Sequence, residues 1–461
     1  MEGNPPRKNE LLTLAVENLG LDAMGVCRWG DARLAVFVPG ALPGERVLAR
    51  VVKVEKRHAF GRLERVLAPS PLRQAPPCPV YGRCGGCAAQ HMAYQATLDY
   101  KRGQVRDCLA RIGGIHIPVP PVLGMAEPWH YRNKGAFPVS GTADNPQIGF
   151  YAPRTHRVVD APCGCMVQRP QANAVTASAR AWISAHRVPP YNEDAHTGAL
   201  RHIVTRTTQA GQTMAVLVTR TGALPYAEAL LEALRRDVPG LVSLQHSVHA
   251  APGNAILGDE PRVLWGSQAL EDTLCGLRFR VSARSFFQVN PAQTEALYAQ
   301  VLAYADLKPD ELAVDAYCGA GAISLLLAGR ARRVIGIECV ADAVADARYN
   351  AQTNGIGNAE FLCAQAEEAL PGLVAQGLRP HVVVVDPPRK GCDEALLRAV
   401  CQAAPDRVVY VSCNPATLAR DAALLVSGGY RAAAVQCVDM FCWAGDVESV
   451  MLLRRNDEDT Q

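Results

Sequence analysis

Apolar and polar positions divide the chain into three stretches. Between residues 10 and 67, short apolar alternations recur in LAVFVPG, RVLARVVKVEK and FGRLERVLA, punctuated by Gly and Pro. Alternation predicts half-buried strands. Five or so strands in so short a span predict a small OB-like barrel, a common nucleic-acid binder. The Pro-rich APSPLRQAPPCP predicts a boundary near residue 70. An amphipathic helix is predicted over Tyr94–Ile112. Residues 126–290 then mix strands (RHIVTRTT, TMAVLVTR) with helix (ALPYAEALLEALRR), an α+β region. From residue 292 the alternation becomes strict. Helix PAQTEALYAQVLAYA precedes strand LAVDAY, helix AISLLLAGR, strand RVIGIE, helix ADAVADARYNAQTN, strands AEFLCA and HVVVVD, helix DEALLRAVCQAA and strand RVVYVS. These strands are continuous apolar runs, as in a parallel sheet with helices on both faces. The expectation is a multidomain α/β protein with a barrel over 8–68, a central region over 69–290 and a doubly wound domain over 291–455.

Composition changes little in that picture. The 461 residues allow two to four domains, and 49% hydrophobic with 20% charged residues is ordinary for a full globular core. No apolar run approaches the ~20 residues of a membrane span, and the N-terminus has no secretory h-region. A cytoplasmic location with no membrane partner is expected, and the polar tail NDEDTQ is expected to fray. Net charge is only +3, but residues 68–137 hold eight cations (Arg73, Arg83, Lys101, Arg102, Arg106, Arg111, Arg132, Lys134) against Asp99, Asp107 and Glu127. Such a segment is either a phosphate-contacting face or solvated surface.

The candidate chemistry gathers in the last stretch. VDAYCGAGAISL places Gly319 and Gly321 at a strand-to-helix turn, where backbone can approach a ligand. Ser324 breaks the full dinucleotide fingerprint. RVIGIE ends in Glu338, 23 residues after Asp315, placed to accept both ribose hydroxyls of a nucleoside. Without a phosphate-binding pattern, S-adenosylmethionine fits better than NAD. Asp386 ends the strand HVVVVD and Cys413 follows RVVYVS, so both should line the cleft at the carboxyl ends of the strands. Pro387, Pro388 and Pro415 stiffen the turns. The helix beginning after Cys413 predicts a lowered thiol pKa. A thiolate added to carbon 6 of uracil makes carbon 5 nucleophilic. A base must then remove the carbon 5 proton, and Glu448 in DVESVMLL is the candidate. Separately, CPVYGRCGGC supplies Cys78, Cys84 and Cys87, with a fourth thiol at Cys163 or Cys165. Four thiolates suit a [4Fe–4S] cluster or zinc.

Taken together, these segments resemble the bacterial RNA uracil-5-methyltransferases of the iron–sulfur type, particularly those acting on 23S ribosomal RNA. LGLDAMGVCRW…AVFVPGALPGE is similar to that family's TRAM barrel, CPVYGRCGGCAAQH to its cluster loop and HYRNK to its substrate-contacting segment. SFFQVNPAQTEALY, DAYCGAGAISL, DPPRKG and SCNPATLARD are similar to its cofactor and catalytic motifs. The resemblance implies a Rossmann-like C-terminal domain binding S-adenosylmethionine through Gln288, Tyr317, Gly319, Glu338, Gln365 and Asp386. It implies Cys413 as nucleophile, Glu448 as base and a [4Fe–4S] cluster on Cys78, Cys84, Cys87 and Cys165, apart from methyl transfer. Arg132, Asn133 and Lys134 would contact RNA, the one partner implied. The chain departs from the family at DMFCWAGDVE, where Cys442, Trp443 and Asp446 replace the usual proline and histidines, at Ser247 and His249 in SLQHSVHAAPGN, and at Ala322. Two other readings stand beside ribosomal RNA: methylation of the T-loop uridine of transfer RNA, and a non-catalytic RNA-binding or assembly factor. Retention of Cys413 and Glu448 argues against the last.

Overall fold

A computed structural model describes residues 6–456 except Ala32 and Asn254; the tail from Asp457 lies outside the described residues. Five strands, β1 (Leu11–Leu19), β2 (Gly25–Trp29), β3 (Leu34–Val38), β4 (Arg46–Val54) and β5 (His58–Ala68), close into a barrel in the order β1-β2-β3-β5-β4. Its interior is filled by alternate residues such as Leu12, Leu14, Val36, Val38, Val47 and Ala59. This is the closed architecture expected from the alternation.

Helix α1 (Tyr94–Arg111) follows the cysteine loop. The central sheet has seven strands in the order β12-β11-β10-β9-β6-β7-β8. In chain order the region holds β6 (Lys134–Gly141), β7 (Pro146–Tyr151), β8 (Val158–Asp160), α2 (Pro170–Ala185), β9 (Leu200–Thr207), β10 (Thr213–Thr219), α3 (Ala227–Asp237), β11 (Leu241–Val248) and β12 (Arg262–Gly266). The hairpin β13 (Ala269–Leu274) and β14 (Leu277–Ser282) leads into the last domain.

That domain runs α4 (Pro291–Ala305), β15 (Leu312–Ala316), α5 (Ala322–Ala328), β16 (Arg333–Glu338), α6 (Ala341–Thr353), β17 (Ala359–Cys363), α7 (Ala366–Ala375), β18 (Val382–Val385), α8 (Glu394–Ala403), β19 (Arg407–Ser412), α9 (Pro415–Ser427), β20 (Tyr430–Val438) and β21 (Glu448–Arg455). Strand order is β17-β16-β15-β18-β19-β21-β20, parallel except for β21, which pairs antiparallel to both β19 and β20. The order reverses between β15 and β18, the switch point where ligands bind in open sheets. One face packs on α4, α5 and α6, the other on α7, α8, α9 and α1. Helix α1 therefore joins the helical layer of a domain that begins 180 residues after it, at Pro291.

Three of the eight cations in the basic segment are structural. Lys101 is fully buried and pairs with Asp439, Arg73 pairs with buried Glu45, and Arg102 donates to the Val119 carbonyl. Arg106 and Arg111 both lie against Asp107. The Lys101–Asp439 pair spans 338 residues, which composition alone could not show.

Candidate active site

The turn after β15 is built for close approach. Gly321 has φ +84, and a Cβ there would press on Ala347 and the Phe361 ring at 3.0–3.1 Å. Tyr317 also has positive φ, and the N–H groups of Tyr317 and Cys318 both donate to the Ile337 carbonyl. The Gly319 N–H donates to Glu338 Oε2 (3.1 Å) and the Val340 N–H to Oε1 (2.8 Å), so Glu338 closes the cradle from β16. Ser324 has its own use: its hydroxyl donates to Asp315 Oδ2, while Asp315 Oδ1 is buried without a partner. Burial pushes Asp315 up to about 7. Gln365 is exposed at the end of β17, on the same edge. Gln288 is half-buried, and its carbonyl accepts from the Asn133 side chain (3.1 Å).

Cys413 and Glu448 meet because β21 runs backwards. Its amino end lies at the carboxyl edge of the parallel strands, and the register Ser412↔Ser449 extends to put Cys413 opposite Glu448. Cys413 is half-buried, whereas Glu448 is buried. Asp386 arrives from β18 and Arg389 from the turn after it. Arg389 Nη2 donates to Asp446 Oδ1 (2.9 Å), and its carbonyl accepts from the Asn414 side chain (3.1 Å). Burial, then the charges of Asp386 and Asp446, pushes Glu448 up to about 8, with Arg389 opposing. Burial pushes Asp386 up to about 6.

The thiol corrects an expectation. Burial and the charge of Glu448 push Cys413 up to about 11 rather than down. The helix end that was to lower it is already occupied, since Asn414 caps α9 by accepting the Ala416 N–H (3.1 Å). Arg389 is the cation that opposes the rise. Neither Arg389 nor Asp446 stood out in the sequence as site residues, although DPPRKG and the altered DMFCWAGDVE contain them.

The HYRNK segment is a joint. Asn133 is buried, its N–H donates to the Val289 carbonyl (2.9 Å), and its own carbonyl accepts from Thr207. Arg132 and Lys134 flank it half-buried; burial, then Arg206 and Arg132, pushes Lys134 down to about 8.

The altered segment before Glu448 is a keystone. Trp443, at φ +67, stacks on Trp129 at 4.7 Å, tilts against Tyr94 at 5.2 Å and donates to the Pro128 carbonyl. Its carbonyl accepts the N–H groups of Ala88 and Ala89, directly after Cys87. Tyr131 donates to the Cys442 carbonyl (3.0 Å), and Asp439 accepts from Tyr94 and Lys101.

Cys87 and Cys165 pack under this keystone, whereas Cys78 and Cys84 pack against Val80, Ala152 and Val159. Gly85 lets the cysteine loop lie close to the end of β7, because a Cβ there would lie 2.9 Å from the Tyr151 carbonyl oxygen. Burial, then the charges of Cys165, Cys84 and Cys78, pushes Cys87 up to about 12. Cys163 is exposed, whereas Cys165 is tied by Asn173 and packs with Cys87, Cys442 and Trp443. Among the described residues, no three Cys, His, Asp or Glu side chains stand in ready metal-coordinating geometry.

Residues 270–456 match the family described as tRNA (Uracil-5-)-methyltransferase. An uncharacterized RNA methyltransferase of Halalkalibacterium halodurans is 46% identical over 451 residues, covering 97% of this chain and 98% of that protein. The chain belongs to the RNA uracil-5-methyltransferase family. Another family member, an uncharacterized RNA methyltransferase of Listeria monocytogenes, is 42% identical over 457 residues, covering 99% of this chain and 100% of that protein. Among solved structures, the Pyrococcus abyssi tRNA (uracil-54, C5)-methyltransferase in complex with S-adenosyl-L-homocysteine superposes with TM-score 0.77 at 26% identity, covering 96% of this chain and all of that one. Among the described residues no helix is long and apolar enough to cross a membrane.

Proposed function

We propose that the chain methylates carbon 5 of a uridine in 23S ribosomal RNA through a covalent bond between Cys413 and carbon 6. The observation that carries the reading is the meeting of Cys413, Glu448 and Asp386 at one edge of the sheet, beside the Glu338 cradle. The space above Gly319 and the unpartnered oxygen of Asp315 fit a nucleoside cofactor. Gln288, Tyr317, Gly319, Glu338, Gln365 and Asp386 would hold it. S-adenosylmethionine supplies an electrophilic methyl group when bound. Cys413 loses its proton to solvent as sulfur bonds to carbon 6, and carbon 5 becomes the nucleophile. After methyl transfer, Glu448 takes the carbon 5 proton as the sulfur–carbon bond breaks. Arg389, whose charge opposes the rise in the thiol's pKa, favours the charge that develops there.

The barrel is assigned as a TRAM-type RNA-binding domain, with Arg132 and Lys134 as contacts and Asn133 between them. Cys78, Cys84, Cys87 and Cys165 have the donor chemistry of a [4Fe–4S] site, and the tie between Cys165 and Asn173 favours Cys165 over Cys163 as fourth ligand. The cluster would act in structure rather than in methyl transfer.

A second reading, the T-loop uridine of transfer RNA, is favoured by the Pyrococcus structure, whose named substrate is tRNA uracil-54. Mass mapping of 5-methyluridine in 23S rRNA and tRNA from cells with and without the gene separates the two. Loss at one rRNA uridine supports the first, loss in tRNA the second. Loss in neither supports a non-catalytic factor. Cys413→Ala should abolish methyl transfer in vitro and retain RNA binding. Turnover at the normal rate would overturn the covalent mechanism.

A further inference from the structure

The outer wall of the barrel carries an aromatic group that the chemistry above does not use. Strands β3 and β5 run parallel with Phe37 beside Phe60. Val36, Val38 and Ala59 turn inward to the barrel core. Phe37, His58 and Phe60 therefore point outward, half-exposed. Their ring centroids lie 5.1–5.7 Å apart. Arg154, exposed in the turn between β7 and β8, reaches over from the central region with its guanidinium 5.8 Å from the Phe60 centroid. Lys56 and Arg57 stand exposed in the β4–β5 turn beside His58. Nearby Lys53 and Arg62 have carboxylate partners in Glu55 and Glu64, whereas Lys56, Arg57 and Arg154 have none among the described residues.

The wall leads towards the reaction site. The Phe37 ring lies against Gly20, 3.5 Å from where a Cβ would stand. Gly20 opens the Leu21–Ala23 turn, on which Leu21 is 75% exposed. Tyr100 pins that turn, donating to the Gly20 carbonyl (2.7 Å) and accepting the Ala23 N–H (2.9 Å). Asp22 of the turn lies against Gly445, the neighbour of Asp446, which holds Arg389 beside Cys413.

We propose that this wall is a stacking platform for unpaired nucleotides flanking the target uridine. Bases stack on Phe37, His58 and Phe60 with Arg154, phosphates meet Lys56 and Arg57, and the strand passes over the Leu21 turn into the Cys413 cleft. Rings interleaved with unpaired cations suit a single strand, since every base offers a π-face and every linkage a charge. A protein-docking patch would instead be apolar at its centre. The inference rests on the reading of the chain as an RNA uridine methyltransferase and names where that RNA is held.

The test uses the full-length protein and a short single-stranded uridine-rich RNA containing 2-aminopurine, whose fluorescence falls on stacking. F37A/F60A should weaken binding about 5- to 100-fold and remove the quenching. F37W/F60W should keep both. Arg57→Gln should reduce the salt dependence of binding by about one phosphate contact. Binding of F37A/F60A within about twofold of wild type, with quenching intact, would overturn the platform. If that variant does not fold, K56E/R57E takes its place. It should weaken binding, and unchanged affinity would overturn the proposal equally. Wild-type protein that stacks the probe but methylates no RNA would sink the functional reading and leave the platform standing. Methylation with unaltered binding in the variants would do the reverse.

Discussion

Glu448 keeps its proton at neutral pH at a cost to the fold. Its carboxyl titrates at 4.5 ordinarily and at about 8 here. Between those values the folded chain holds a proton that the unfolded chain has lost. Stability therefore falls as pH rises through that window and levels off above it. Glu448→Gln should raise stability at pH 8 by on the order of 2 kcal/mol, with no gain below about pH 4, while ending product formation. Thermal melts across that range check it, and equal melting at pH 8 would contradict the burial argument. Activity should follow the same proton. The group faces Asp386, Asp446, Arg389, Cys413 and Tyr298, so the wild-type kcat/KM should climb with pH and flatten only above about 8, as a property of the coupled set. Asp446 enters through Arg389. Asp446→Asn frees that guanidinium and should lower kcat/KM several-fold at low salt, with Asp446→Glu restoring it. The melting temperature should hardly move, because the pair is exposed. The pKa of Cys413 departs from the sequence expectation for a related reason. A helix after a thiol is visible as SCNP, but the cap supplied by Asn414 and the carboxylates around the thiol depend on neighbours distant in sequence.

At the scale of elements, the continuous apolar strands and the placement of Asp386 and Cys413 at one edge were legible, because parallel strands buried on both faces leave that signature. Helix α7 was not. Pro371 and Gly372 sit inside it, and both residues argue locally against helix. Tertiary packing of Leu370 and Val374 against the sheet overrides them. The role of DMFCWAGDVE was likewise hidden. A departure from the family pattern could be seen, but not that Trp443 would bind the chain after Cys87 to the strand bearing Glu448. That role predicts that Trp443→Ala is strongly destabilising, by about 3–5 kcal/mol as for other buried aromatics. It also predicts Trp443→Phe as a milder change, losing the hydrogen bond to the Pro128 carbonyl. Chemical denaturation of both variants, with m-values unchanged, measures the difference.

For the whole molecule, the three stretches of the sequence became a barrel, a central sheet and a methyltransferase sheet, yet the ties between them were not in any local pattern. Lys101 of α1 pairs with Asp439 across 338 residues, and the cysteine loop hangs from Trp443. Substrate choice is the least legible property at this scale. The Pyrococcus tRNA enzyme superposes over 96% of this chain, so whole-chain architecture does not separate ribosomal from transfer RNA. The cysteines, by contrast, make a sharp prediction. Cys78, Cys84 and Cys87 belong to one loop and Cys165 to another segment. A cluster held by all four would staple both to the keystone that precedes Glu448. Purified anaerobically, the protein should be brown, with iron and sulfide near four each per chain. Removing the iron with a chelator, or replacing Cys87 or Cys165 by Ser, should lower the melting temperature and methyl transfer together. S-adenosyl-L-homocysteine affinity should stay within about twofold, because the Glu338 cradle lies on β15 and β16 and shares no side chain with the staple. Stoichiometric zinc without iron would overturn the cluster assignment. Loss of cofactor affinity alongside the metal would overturn the separation of the two sites.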